Sequence, residues 1–164
     1  MHSVNAFLPL LRKGTTKKII VISSEGGVPE MVWKIRLGHA AAYGITKAAE
    51  NMVATKYAAL LEEEGFVVAA VSPGLVDVSS TATDQGTCCY LIVSDVECLA
   101  DAECDAAAIQ KNMHLFQKIM KGMFAAYPNT AAITPEESAR RLVSFIESAG
   151  SAQSGRFEPA KEYK

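Results

Sequence analysis

Two short apolar runs, KKIIVIS at residues 17–23 and FVVAAV at residues 66–71, bracket a longer stretch with helical periodicity, Ala40 to Glu64. The strands within them, Lys18 to Ser23 and Phe66 to Val71, have almost unbroken apolar centres rich in β-branched or small residues. Strands covered on both faces of a parallel sheet read this way, and the first run is expected as a central strand. A strand, a helix and a second strand in that order form a parallel βαβ unit, whose crossover is right-handed in nearly all cases. The expected fold class is therefore α/β, with a parallel sheet whose chemistry lies beyond the carboxyl ends of its strands.

The central helix carries Tyr43 and Lys47 four residues apart. Side chains at i and i+4 share a helix face, so the ammonium stands close to the phenol. A free phenol titrates near pH ~10, and a neighbouring cation stabilises its phenolate. A tyrosine tuned in this way serves as general acid or base toward an alcohol or carbonyl. The bland reading, a solvated helix face, competes with this one until the flanks are added. Ser23 and Ser24 end the first apolar run, and Ser72-Pro73-Gly74 ends the second. Parallel strands bring both ends to one edge of the sheet. Ile45, Ala48, Met52, Ala59 and Leu60 are the expected buried face of the helix, with Gly65 as its C-terminal cap.

Strand, serine, Tyr-x-x-x-Lys helix, strand and Pro-Gly in this order resemble the C-terminal half of the short-chain dehydrogenase/reductase family, over about Phe7 to Val78. The resemblance implies a partial Rossmann-type, doubly wound parallel sheet lacking the N-terminal dinucleotide-binding strands. It also implies an NAD(P)-dependent oxidoreductase that reduces a carbonyl or oxidises a secondary alcohol. On that resemblance Tyr43 transfers the proton, Lys47 lowers its pKa and holds the ribose, and Ser24 hydrogen-bonds the substrate oxygen. Tyr43, Lys47, Pro73, Gly74 and Val76 would meet the nicotinamide side of the cofactor.

The chain departs from the family's pattern in four respects. Asn5 lies too close to Leu8-Pro9 to match the family's catalytic asparagine. Ser24 and Tyr43 stand further apart in sequence than the family usually allows. Val78 stands where a threonine or serine would touch the carboxamide, with Ser79 beside it. No G-x-x-x-G-x-G or G-x-G-x-x-G occurs in the 164 residues, although a dinucleotide pyrophosphate needs such a turn at a helix N-terminus. Three readings follow: a truncated product or incomplete gene model of a reductase, which is favoured; an inactive partial chain acting as a binding protein; or an enzyme with an unconventional cofactor site.

Val4, Phe7, Leu8 and Leu11 repeat at helical spacing, and Gly14 with Thr15-Thr16 ends that helix. Between Glu25 and His39 a loop with a helical turn is expected, its tryptophan, Trp33, packing onto the domain or forming a pocket wall. His39 reads as a surface residue or helix cap. Residues 79–110 change composition abruptly, as a disordered insertion or translated intron sequence does. Met113, Phe116, Ile119, Met120 and Phe124 then suggest a substrate lid helix. Thr134-Pro135-Glu136-Glu137 reads as a capping box opening a helix to about Ala149, with Leu142, Val143 and Ile146 toward the sheet and Arg140 and Arg141 in water. Arg156 and Phe157 suit a short last strand, ended by Pro159.

The whole is expected as one partial domain, 1–164, with 79–110 inserted and 111–150 forming the lid and C-terminal helix. A net charge of −2 with scattered basic residues argues against nucleic acid and anionic membranes and favours a small-molecule carbonyl or alcohol as partner. The lack of an apolar run of ~18 residues or of a secretory leader points to the cytoplasm. There Cys88, Cys89, Cys98 and Cys104 are expected to stay reduced, and their spacing suits neither zinc nor a disulfide framework. Open strand faces make a homo-oligomer an expected outcome.

Overall fold

The computed structural model describes residues 1–38, 41–77 and 131–159, together with residues 117, 121–122 and 124–125. Helix α1 spans His2–Lys13 and strand β1 spans Lys18–Ile22. A 3-10 turn, Glu25–Gly27, leads into the short helix α2, Pro29–Ile35. Helix α3 spans Ala41–Leu61 and strand β2 Val67–Val71. Helix α4, Pro135–Ser148, a second 3-10 turn, Ser151–Gln153, and the two-residue strand β3, Phe157–Glu158, follow.

The three strands are parallel, in the order β1-β2-β3. β1 pairs with β2 from Lys18↔Val67 to Ile22↔Val71, and β3 joins β2 through Ala70↔Phe157 and Val71↔Glu158. Successive strand residues face opposite sides of a sheet. Ile19, Val21, Val68 and Ala70 thus meet α1 and α3 through Leu8, Ala54, Tyr57, Ala58 and Leu61. Ile20, Val67, Ala69 and Val71 meet α4 through Leu142, Phe145 and Ala149. Helices on both faces of a parallel sheet are the doubly wound, Rossmann-type arrangement expected from the sequence.

Three expectations about packing change. Among the described residues β1 is an edge strand, half-exposed along its length, with Ile22 45% exposed, whereas β2 is the buried centre. On α3 the residues at 54, 57, 58 and 61 are buried, while Ile45, Met52, Ala59 and Leu60 face solvent and Ala48 is half-buried. This helix is apolar around much of its circumference, so two stripes satisfy the same period. Ala54 and Ala58 let the backbone approach the sheet more closely than Met52 or Leu60 would. On α4, Phe145 and Leu142 face the sheet, and Val143 and Ile146 turn outward.

Polar ties join the elements. Arg12 makes two 2.7 Å bonds to the Glu64 carboxylate, and Lys17 Nζ donates to the Glu64 carbonyl at 2.8 Å. Those contacts hold the end of α1 to the end of the α3 segment, where Gly65 adopts φ +75 and so turns the chain into β2. Asn5 Oδ1 accepts a 2.5 Å bond from the Tyr57 hydroxyl, a structural role for that asparagine. Lys18 Nζ donates to the carbonyls of Ile146 and Glu147 at 2.8 Å, where a cation complements the helix C-terminus.

Candidate active site

Both β1 and β2 run their carboxyl ends to the same edge, and both leave it through serines. Ser23 is 2% exposed and donates from Oγ to the Lys47 carbonyl at 3.3 Å, fixing the strand end to α3. Ser24 caps the 3-10 turn, its Oγ accepting from the Gly26 N–H at 3.1 Å. Because a hydroxyl both accepts and donates, that bond leaves the Ser24 O–H available as a donor. Turn-capping and substrate contact are thus compatible roles for one side chain.

The turn lies directly on α3. A Cβ at Gly27 would stand 2.5 Å from the carbonyl carbon of Lys47, so only glycine permits this approach. A Cβ at Gly26 would lie 3.2 Å from Cε1 of Tyr43 and 3.5 Å from Ser24 Oγ, so the tyrosine ring and the serine hydroxyl flank one point. Tyr43 is 39% exposed, and its hydroxyl donates to no described residue. Lys47 Nζ stands 5.8 Å from the centroid of the Tyr43 ring, donates to the Ile22 carbonyl at 3.3 Å and pairs with Glu50 Oε2 at 2.8 Å. Ser24, Tyr43 and Lys47 are thereby brought together at one sheet edge.

The Pro-Gly loop is held against the same edge. Ser72 is 4% exposed; its Oγ donates to Glu25 Oε2 at 2.5 Å and accepts from the Gly74 N–H at 3.1 Å. The Pro73 carbonyl accepts from Ser138 Oγ at 2.8 Å, on the first turn of α4. Val76 bridges to Ile133, with 2.9 Å bonds from Asp77 N–H to the Ile133 carbonyl and from Ile133 N–H to the Leu75 carbonyl. The loop is thereby tied to the serine turn through Ser72 and Glu25, and to the segment opening α4 through Pro73 and Val76. Glu25, Ser72, Gly27 and Glu50 were not singled out from the sequence as site residues. Only the Gly26-Gly27 pair after a strand signalled a close approach, and it signals equally well a simple turn.

Trp33 does not pack the loop onto the domain. It is 71% exposed, with the Arg36 guanidinium stacked 3.9 Å from its ring centroid. Gly122 touches this region, since a Cβ there would lie 2.7 Å from the Ile35 carbonyl oxygen. The remainder of the expected lid, the insertion 79–110 with its four cysteines, and His39, Val78 and Ser79 lie outside the described residues. Among the described residues no group of His, Cys, Asp and Glu could hold a metal ion, and no described helix is long and apolar enough to cross a membrane.

No family model matches the chain. It is 48% identical over 86 residues to the short-chain dehydrogenase/reductase AacuF of Aspergillus aculeatus, an alignment covering 52% of this chain and 32% of that protein. It is 47% identical over 81 residues to the short-chain dehydrogenase/reductase atnB of Arthrinium sp, covering 49% and 30%. An uncharacterized oxidoreductase of Schizosaccharomyces pombe aligns over 96% of this chain and 49% of its own length at 24% identity. The NADPH-bound carbonyl reductase from chicken fatty liver superposes with a TM-score of 0.56 at 21% identity, covering 95% of this chain and 48% of that one. The chain thus spans about a third of the length of the first two relatives and about half of the carbonyl reductase. Over about half of its length the chain is similar in sequence to proteins named short-chain dehydrogenase/reductase, and its fold resembles that of part of the carbonyl reductase.

Proposed function

We propose that this chain supplies the catalytic and nicotinamide side of an NAD(P)-dependent oxidoreductase that reduces a carbonyl or oxidises a secondary alcohol. The observation that carries the reading is the convergence of Ser24, Tyr43 and Lys47, with the tyrosine ring and the serine hydroxyl around one point and the Pro73-Gly74 loop tied to the serine turn. The NADPH-bound state of the chicken carbonyl reductase supports the cofactor class. Residues 1–164 act as one partial domain in this reading, with 79–110 an insertion and 111–150 contributing a lid and the C-terminal helix. Its compartment is the cytoplasm.

The donor set fits a nicotinamide riboside. Two of the three Lys47 N–H groups are directed at Ile22 and Glu50, leaving one for a ribose hydroxyl. Pro73, Gly74 and Val76 would line the nicotinamide ring, and a bound dinucleotide would supply the hydride for reduction of a carbonyl and accept it in oxidation of an alcohol. Tyr43 gives its hydroxyl proton to the substrate oxygen during reduction and takes it back during oxidation, while the Lys47 ammonium stabilises the phenolate between. Ser24 donates a hydrogen bond to the same oxygen, lowering the cost of charge that develops there.

A chimera tests this. The residues of the Aspergillus aculeatus relative that precede its aligned segment, joined to this chain, should reduce a carbonyl with NADPH or NADH. Tyr43→Phe should lower turnover by roughly 10²–10⁴-fold. Retained turnover in that variant would exclude the assigned role. A second reading, an inactive partial chain that binds a protein partner, is favoured by the exposed Phe7, Leu10, Ile45, Met52 and Leu60. A folded chimera without turnover would support it.

A further inference from the structure

Pro73 and Gly74 share one peptide group, and both of its polar atoms are held by buried hydroxyls. The Pro73 carbonyl accepts from Ser138 Oγ at 2.8 Å, and the Gly74 N–H donates to Ser72 Oγ at 3.1 Å. Ser72, at the end of β2, is 4% exposed, and Ser138, on the first turn of α4, is 5% exposed. A serine in a helix readily returns its proton to a carbonyl one turn earlier. Ser138 instead reaches a carbonyl 65 residues away in sequence. Its support is independent of the peptide it holds, because 2.9 Å bonds from Ile133 N–H to the Leu75 carbonyl and from Asp77 N–H to the Ile133 carbonyl seat the segment opening α4 against the loop.

Gly74 follows this peptide with φ +86. A Pro-Gly pair has two accessible arrangements that differ by rotation of the peptide between them: glycine near φ of about +80, as at the third position of a type II turn, or near about −90, as in type I. Proline suits the preceding position in both, and glycine takes either sign of φ at little cost, so the backbone alone does not choose. Rotation would break both serine bonds at once. With the two polar atoms committed, the loop offers a ligand the apolar carbons of Pro73 and Gly74. We propose that Ser138 is a positioning residue for the nicotinamide side of the site: together with Ser72 it locks the Pro73–Gly74 peptide in one orientation and keeps that contact apolar. Without Ser138 the peptide is free to rotate and turn a polar group toward the ring. This inference rests on the role given above to Pro73 and Gly74.

NMR of the 164-residue chain tests it, with Ser138→Ala deleting the hydroxyl, and Ser138→Thr and Ser138→Val forming a pair of equal shape with and without it. The unsubstituted chain and Ser138→Thr should show a single Gly74 resonance. Ser138→Ala and Ser138→Val should show a second Gly74 resonance or exchange broadening confined to residues 72–76, while the amides of β2 keep their protection. Binding of reduced nicotinamide mononucleotide should weaken by about threefold to tenfold in Ser138→Ala, as loss of one hydrogen bond would give, and recover in Ser138→Thr. A role in helix packing alone would lower Tm and leave Gly74 in one conformation. A single, unperturbed Gly74 resonance in both Ser138→Ala and Ser138→Val overturns the proposal. A second Gly74 conformer with unchanged mononucleotide affinity overturns it too, and leaves the nicotinamide reading of the loop intact. If the unsubstituted chain binds no reduced mononucleotide while Gly74 is still released in Ser138→Ala, the peptide lock is upheld and the nicotinamide reading is what fails.

Discussion

Ser72 carries more of the site's geometry than its place beside a proline and a glycine suggests. Its buried hydroxyl spans Glu25 on the serine turn and the Gly74 N–H on the opposite loop. Ser72→Ala leaves both partners short of a bond, and should lower stability by about 1–3 kcal/mol in urea unfolding. A loss below a few tenths would show that water replaces the hydroxyl. Gly27 is constrained more sharply still, because a methyl group there meets the Lys47 backbone at 2.5 Å. Gly27→Ala should cost about 1–3 kcal/mol and push the serine turn off α3. Loss of the Ser23 bond to the Lys47 carbonyl, read by hydrogen exchange or NMR, would mark that movement.

The ends of α4 were legible from the sequence. Thr134 Oγ1 accepts from the Glu137 N–H at 3.2 Å, and Pro135 sits at the first position. The expected capping box forms only in half: the Glu137 carboxylate turns from the Thr134 N–H to bond Arg140 through two contacts and Arg141 at 2.6 Å, which hold its carboxyl down to about 2. A carboxyl depressed in the folded state stabilises it above the ordinary value near 4.5 and loses that contribution as pH falls toward 2. The pairs are solvent-facing, so the effect is modest. Glu137→Gln should flatten the acid limb of the unfolding curve between about pH 4.5 and 2, and leave its slope above pH 5 unchanged. Which face of α4 is buried was harder to read. Phe145→Ala should cost about 3–5 kcal/mol, since its ring is 1% exposed between Ala69 and Val71, whereas Val143→Ala should change little. The sequence pattern pointed to Val143 because an apolar period fixes a stripe only when the opposite face is polar. The alanine-rich α3 defeated the same reasoning, while the strands, short unbroken apolar runs ended by serine, were assigned within a residue.

As a whole, the described fold covers β2 on both faces and both edges but leaves β1 with one edge unpaired and Ile22 45% exposed. Phe7 and Leu10 on α1, with Ile45, Met52 and Leu60 on α3, add apolar surface on the helices. Self-association is the expected response, and replacing Ile45 and Met52 with lysine should shift sedimentation velocity toward monomer. An unchanged distribution would place the contact elsewhere, with the β1 edge the next surface to test. The residues of the proposed site stand in short local patterns: a serine after a strand, a tyrosine and lysine one helical turn apart, a proline-glycine exit. The contact of Glu25 with Ser72 arises from tertiary approach and leaves no local signature, whereas the Lys47–Glu50 pair is an i,i+3 spacing that the sequence offers. The proposed function has this chain recognise the nicotinamide end of the cofactor and little else. Binding of reduced nicotinamide mononucleotide and of NADPH to the 164-residue chain, followed by NMR, measures that directly. The account predicts affinities within about threefold of each other, both weakened by Lys47→Met, since a tenfold difference would require about 1.4 kcal/mol from the adenosine half. NADPH binding tens of times more tightly than the mononucleotide, or binding of either ligand indifferent to Lys47, would contradict it.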